Sequence, residues 1–196
     1  MLKKRREPLG PMIYPLFPSR EDLYSCVKNE NPTRRGEEGK VYFAGLDLGR
    51  GPDISAVAIG HFFSCGRIVL DQLFSRTFGS FEEMSRWVRE ILSSFDLVSG
   101  FSDMNYVPNL PQKIEVAHPN LILQDQILNC FLEAADNERL TLYKGEYLES
   151  LLRVRIREQP NGVLCLDEVP GVDLGFTEAI SRMVYSIDQY RLKSGN

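Results

Sequence analysis

The stretch VYFAGLDLGRGPDISAVAIG, residues 41–60, constrains the fold more than any other part of the chain. Two apolar runs of strand length flank a break made of glycine, proline and charge. Residues 41–46 read as one strand, and residues 54–63 as a second that returns beside it. The difficulty is Asp47. A buried carboxylate is costly unless it is paired or bound to a metal. Either Asp47 has a partner, or the strand ends there and the acid stands at its mouth.

The rest of the order follows from periodicity. Residues 67–76 read as a third strand, joined to the second through Ser64-Cys65-Gly66, a tight turn that uses glycine. Ser80-Phe81-Glu82-Glu83 has the form of a capping box, opening a helix with Met84, Val88, Ile91 and Phe95 on one face. Residues 96–102 form a fourth strand ending at Asp103. Asn120 caps a second helix that turns Ile127, Leu128, Phe131 and Leu132 inward. A fifth strand is expected over 139–143 and a short helix over about 145–152. An arginine-rich hairpin follows, turning at Pro160-Asn161-Gly162. A last helix spans about 176–190. Three consecutive strands, then strands alternating with helices, give an α/β fold. Its mixed central sheet combines a three-strand meander with parallel strands, flanked by helices and carrying an extra β-hairpin.

Residues 1–38 read differently. Prolines recur at 8, 11, 15, 18 and 32, and basic residues cluster at Lys3-Lys4-Arg5-Arg6 and Arg34-Arg35. This segment reads as an irregular arm or linker, with a short helix near 21–27, ahead of one domain over 39–196. The 196 residues are 43% hydrophobic and 26% charged, which suits one soluble domain with a real core. The net charge of -4 is not the basic balance of a typical duplex-binding domain, so any nucleic-acid contact must come from local clusters. Cys26, Cys65, Cys130 and Cys165 form no CxxC pair, which argues for reduced thiols in an intracellular protein rather than a zinc site. No apolar run approaches membrane-spanning length.

Three acids stand at element ends: Asp47 after the first strand, Asp103 after the fourth, and Asp173 just before the last helix. If the first and fourth strands are parallel neighbours, their C-terminal ends coincide, and ligands of open α/β sheets bind there. Gathered carboxylates repel unless a cation neutralises them, and hard divalent ions prefer such oxygens. Singly, each acid is as well explained as a cap or turn-former; the joint pattern points to a metal. Asp53 and Glu178 are weaker candidates, and Asp167 weaker still. Arg153, Arg155 and Arg157, with Lys144, are candidate phosphate contacts. The alternative is that the three arginines are the wet face of an edge hairpin protected by charge. No phosphate-cradling glycine motif, no nucleophile elbow and no histidine pair at metal-ligand spacing occurs. His61 and His118 read as structural.

The stretch GLDLGRGPDISAVAIG resembles the first motif of the nuclease domain of viral large terminases. In that family an acid ends the first strand, and a glycine-rich turn with a further aspartate follows. Here these are Asp47, Gly49, Gly51 and Asp53, then Ser55 and Ala56. The second acid of the family matches Asp103 in GFSDMNYVP. The third matches Asp173 in PGVDLGFTEAISRMVYSI, with Ala179 matching an alanine of the C-terminal helix. The sequence departs from the pattern at Val172, where a second acid is common, and at Asn105, Tyr106 and Pro108, where a glycine is usual. The resemblance covers about residues 41–190 and implies a ribonuclease H-like fold. It implies a metal-dependent endonuclease that cuts concatemeric viral DNA during packaging. Asp47, Asp103 and Asp173, with Asp53 as a further candidate, would hold two divalent cations, Mg²⁺ or Mn²⁺. The implied partners are double-stranded DNA, a terminase ATPase domain or subunit, the portal and the small terminase subunit. A junction resolvase, or a non-catalytic DNA-binding or packaging module on the same fold, are the alternatives. A sugar-kinase-like reading of the DLG turn requires two lobes, more than 196 residues supply.

Overall fold

The computed structural model of the chain describes residues 10–28, 32, 35–49, 53–103, 110–111, 113–118 and 120–195. The basic cluster at 3–6, together with Arg34, Gly51, Asn105, Tyr106 and Pro108, lies outside them. In chain order the elements are β1 (Met12–Pro15), α1 (Arg20–Ser25), β2 (Tyr42–Asp47), β3 (Ser55–Phe62), β4 (Ile68–Arg76), α2 (Phe81–Ser93) and β5 (Leu97–Ser102). Then come β6 (Ile114–Val116), α3 (Leu121–Asp136), β7 (Leu140–Thr141), α4 (Tyr147–Arg153), β8 (Arg155–Glu158), β9 (Leu164–Asp167) and α5 (Gly175–Ser194).

Six strands form the central sheet in the order β6-β5-β2-β3-β4-β7. Strand β3 is antiparallel to β2 and β4, and the remaining neighbours are parallel. The expected meander is therefore β2-β3-β4. The condition on which the acid cluster depended is met, because β2 and β5 are parallel partners with Leu46 opposite Ser102. That register carries Asp47 and Asp103 to the same edge.

Strand β2 is apolar up to Asp47 because helices cover both faces of the sheet. Its residues alternate, as the two-residue period of a strand requires. Tyr42, Ala44 and Leu46 pack with Val57 and Ile59 against Met84, Val88, Ile91 and Leu92 of α2. Phe43 packs on the other side with Phe131 of α3 and Ala179, Ile180 and Met183 of α5. The caps are those expected: the Ser80 hydroxyl oxygen accepts from the Glu83 amide at 3.3 Å, and Asn120 Oδ1 accepts from the Leu123 amide at 2.9 Å. Gly66 turns the β3–β4 hairpin at φ 87°.

The N-terminal segment is ordered where it is described. Strand β1 pairs antiparallel with β8, making a second sheet β1-β8-β9. Leu16, Phe17, Leu23 and Cys26 belong to the main core, and Phe17 meets Phe131 edge-on at 6.0 Å. Arg20 of α1 bonds Glu149 of α4 through both guanidinium nitrogens. An irregular arm was expected from the recurring prolines and the runs of charge, and Pro15 ends β1. Proline is tolerated there because β1 is an edge strand. The hairpin also starts later than expected. Arg153 is the last residue of α4, so only Arg155 and Arg157 share a strand face. Strand β6 had no signal beyond three residues. Among the described residues no helix is long and apolar enough to cross a membrane.

Candidate metal centre

The centre is assembled by one close packing. A Cβ at Gly45, in the middle of β2, would lie 2.0 Å from the Ala179 carbonyl oxygen and 2.2 Å from the Met183 nitrogen. Only glycine lets the α5 backbone rest directly on the strand. Helix α5 then crosses the end of β2 with Glu178 and Arg182, one turn apart, next to Asp47. One carboxylate oxygen from each of Asp47, Asp103 and Glu178 lies within 4.8 Å of the others.

Arg182 ties this group together. Its Nη1 donates to Asp47 Oδ1 and to the Leu46 carbonyl oxygen, both at 2.7 Å. Its Nη2 donates to Asp103 Oδ2 at 3.2 Å and to Glu178 Oε2. The arginine side chain is only 4% exposed, against 19%, 24% and 30% for Asp47, Asp103 and Glu178. The guanidinium therefore forms the floor, and the acids stand between it and solvent.

Three carboxylates around one guanidinium leave an excess of negative charge. Burial pushes Glu178 up to about 8, against the pull of Arg182, and the neighbouring Asp47 adds to the rise. Burial also raises Asp103, again opposed by Arg182. Burial works against the charge of Arg182, but Glu178, Asp47 and Asp103 outweigh it and hold the group above its ordinary value.

Two features fit a divalent cation. Asp103 Oδ1 is buried and has no hydrogen-bond partner among the described residues. A Cβ at Gly175 would sit 3.0 Å from Asp47 Oδ2 and 3.1 Å from Asp173 Oδ1, so glycine there leaves open the space between those oxygens. The donor set is all oxygen, the chemistry that Mg²⁺ and Mn²⁺ prefer.

The sequence-predicted residues fall into three groups. Asp47 and Asp103 meet. Asp173 lies beside Asp47, but its Oδ1 accepts from the Gly175 amide at 2.8 Å, a turn-capping role, and the tightest cluster has Glu178 instead. Asp53 is exposed on the turn before β3, its backbone against Gly49, and it is not in the cluster. Arg157 pairs with Asp167 and lines a cavity of about 300 Å³ that also touches Glu178 and Arg182. Arg153 and Arg155 line a separate groove beside β1. Lys144 is exposed after β7. Arg182 was missed altogether. The signal available was a glutamate and an arginine spaced i,i+4 in the last helix, which a solvated ion pair gives equally.

No protein-family model matches the chain, and no curated protein matches it. Solved structures do. The large terminase of bacteriophage HK97 superposes with a TM-score of 0.70 at 15% identity, over 89% of this chain and 44% of the phage protein. The large terminase nuclease of thermophilic phage G20c superposes at 0.69 with 9% identity, over 86% of this chain and 96% of that one. The nuclease domain of the Thermus phage P74-26 large terminase gives 0.69 at 10% identity, over 91% and 96%. The fold is ribonuclease H-like. More particularly, it is the fold of phage large-terminase nuclease domains, and the chain spans 44% of the HK97 protein and nearly all of the isolated nuclease domains.

Proposed function

We propose that this chain is the metal-dependent endonuclease domain of a DNA-packaging terminase and cuts concatemeric viral DNA inside the host cell. The observation that carries this reading is the meeting of Asp47, Asp103 and Glu178 at the C-terminal edge of two adjacent parallel strands. Three carboxylates that share one guanidinium still carry excess negative charge, which favours a further cation. The G20c nuclease, which shares the fold, is solved with bound magnesium, cobalt and zinc.

In this reading Asp47 and Asp103 are the principal ligands of Mg²⁺ or Mn²⁺. Glu178 is the third, and Asp173 is within reach as a further one. Bound divalent metal would lower the pKa of a coordinated water and stabilise the leaving oxygen of a phosphodiester, so no protein nucleophile is needed. Arg157 faces the adjoining cavity and is placed to meet a phosphate of double-stranded DNA entering beside the acids. Arg155, Arg153 and Lys144 are exposed and supply local positive charge on a chain of net charge -4. The ATPase domain or subunit of a terminase, its portal and its small subunit are the partners this function calls for.

The test is Mn²⁺-dependent cleavage of plasmid DNA. The wild-type domain nicks and linearises the plasmid, and Asp47→Ala leaves it intact. Cleavage that survives Asp47→Ala refutes the assignment.

A further inference from the structure

The buried arginine has a consequence for how many ions the centre holds. The three clustered carboxylates own six oxygens. Arg182 engages three of them, one from each acid: Asp47 Oδ1, Asp103 Oδ2 and Glu178 Oε2. An acid that bridges two ions with one oxygen on each needs both oxygens free of other cations, and Asp47 Oδ1 already accepts from the guanidinium. Arg182 is not free to swing aside as a surface arginine is. Its Nη1 is also fixed to the Leu46 backbone carbonyl, and its side chain is 4% exposed. The oxygens left over include Asp103 Oδ1, unpartnered among the described residues, and Asp47 Oδ2 beside Gly175. Asp103 Oδ1 is buried, and Asp47 Oδ2 faces the space that Gly175 leaves open.

We propose that Arg182 occupies one of two cation positions in this centre, so that the chain binds a single divalent ion on the carboxylate oxygens that the guanidinium does not engage. This rests on the metal-dependent reading of the site. Arg182 is then a positioning residue. It neutralises one charge, spaces the three acids before metal arrives, and excludes an inner ion. A guanidinium suits that position because it is planar, stays charged when buried and donates in several directions at once. The pairing Glu178–Arg182 is built into α5 as an i,i+4 contact, so the inner cation comes with the helix.

The experiment is a count of Mn²⁺ sites by anomalous diffraction from crystals soaked in Mn²⁺, for the wild type, Arg182→Lys and Arg182→Gln. Mn²⁺ titration followed by electron paramagnetic resonance gives the count in solution. The expected result is one site in the wild type with Arg182 still bonded to Asp47, one in Arg182→Lys, and two in Arg182→Gln. Two sites in the wild type overturn the inference, and do so even if Arg182→Gln fails to fold. A folded Arg182→Gln that still holds one site overturns it as well. The two levels separate cleanly. A wild type that holds two ions and cleaves DNA sinks the inference and keeps the nuclease. A wild type that holds none sinks both.

Discussion

The central sheet carries a buried charged cluster at each end of β2, and the two differ in how far they neutralise themselves. At the start of the strand, beside Tyr42, His61 Nδ1 meets Asp71 Oδ2 at 2.5 Å, and Lys40 Nζ stands 3.8 Å from the other Asp71 oxygen. There one carboxylate has two partners able to carry positive charge. At the far end, three carboxylates share one guanidinium. Burial of charge is tolerated when it is matched. The first cluster balances its carboxylate within the chain and reads as structural, although His61 Nε2 is buried without a partner among the described residues. The second leaves an oxygen of Asp103 without a partner among the described residues, and its imbalance is what a divalent ion would remove.

Substitutions at the two ends of β2 should therefore separate function from stability. The largest contrast is expected between Asp47→Ala and Asp71→Ala. The first abolishes Mn²⁺-dependent cleavage while the domain melts near the wild-type temperature. The second leaves His61 without its partner and costs about 1–3 kcal/mol in denaturant unfolding, with cleavage retained in whatever remains folded. Equal loss of activity from both would erase the distinction.

Gly45→Ala probes the close packing from which the acid cluster is built. A methyl group has no room against the α5 backbone. We expect destabilisation of about 1–3 kcal/mol or more by urea unfolding, together with weakened Mn²⁺ binding, because α5 carries Glu178 and Arg182. Mn²⁺ binding at wild-type strength in this variant would show that the seating of α5 is unimportant to the centre.

Titration offers a subtler contrast. Burial lifts Glu178 from its ordinary 4.5 to about 8 in the folded, metal-free protein. Between those values the folded state holds a proton that the unfolded state has released. This group's contribution is therefore full below 4.5 and is lost as pH rises through about 8. Metal-free thermal stability should fall across that window, and saturating Mn²⁺ should flatten the slope. A slope unchanged by Mn²⁺, or by Glu178→Gln, would place the titration elsewhere.

The smallest effect is expected at the hairpin. Arg157→Ala should weaken duplex binding modestly and reduce its salt dependence by about one contact's worth, read by fluorescence anisotropy across a salt series. Arg155→Ala, exposed and away from the cavity, should do less. A larger effect from Arg155 would move the DNA path to the groove beside β1.

Much of this was legible before any coordinates. The apolar run ending at Asp47, the glycine-rich turn and the return strand dictate a strand end with an acid at its mouth. Periodicity alone placed α2 and α3 with their caps, since those helices depend on local spacing and on side chains that satisfy their own first amides. Strand β1 was not legible, because an edge strand's hydrogen bonds are made to β8, far away in the chain.

By itself, then, the sequence determined the strand ends on which Asp47 and Asp103 stand and the approach of Asp173 to the last helix. Only the tertiary structure decided which acid completes the tightest group and what holds it. Glu178 and Arg182 sit on one side of α5, and nothing local tells that side from a solvated i,i+4 ion pair. They become part of the centre because Gly45 lets the helix touch β2, and because the parallel pairing of β2 with β5 brings Asp103 to the same place. Charge is read from residues one at a time, but neutralisation is a property of the space they share.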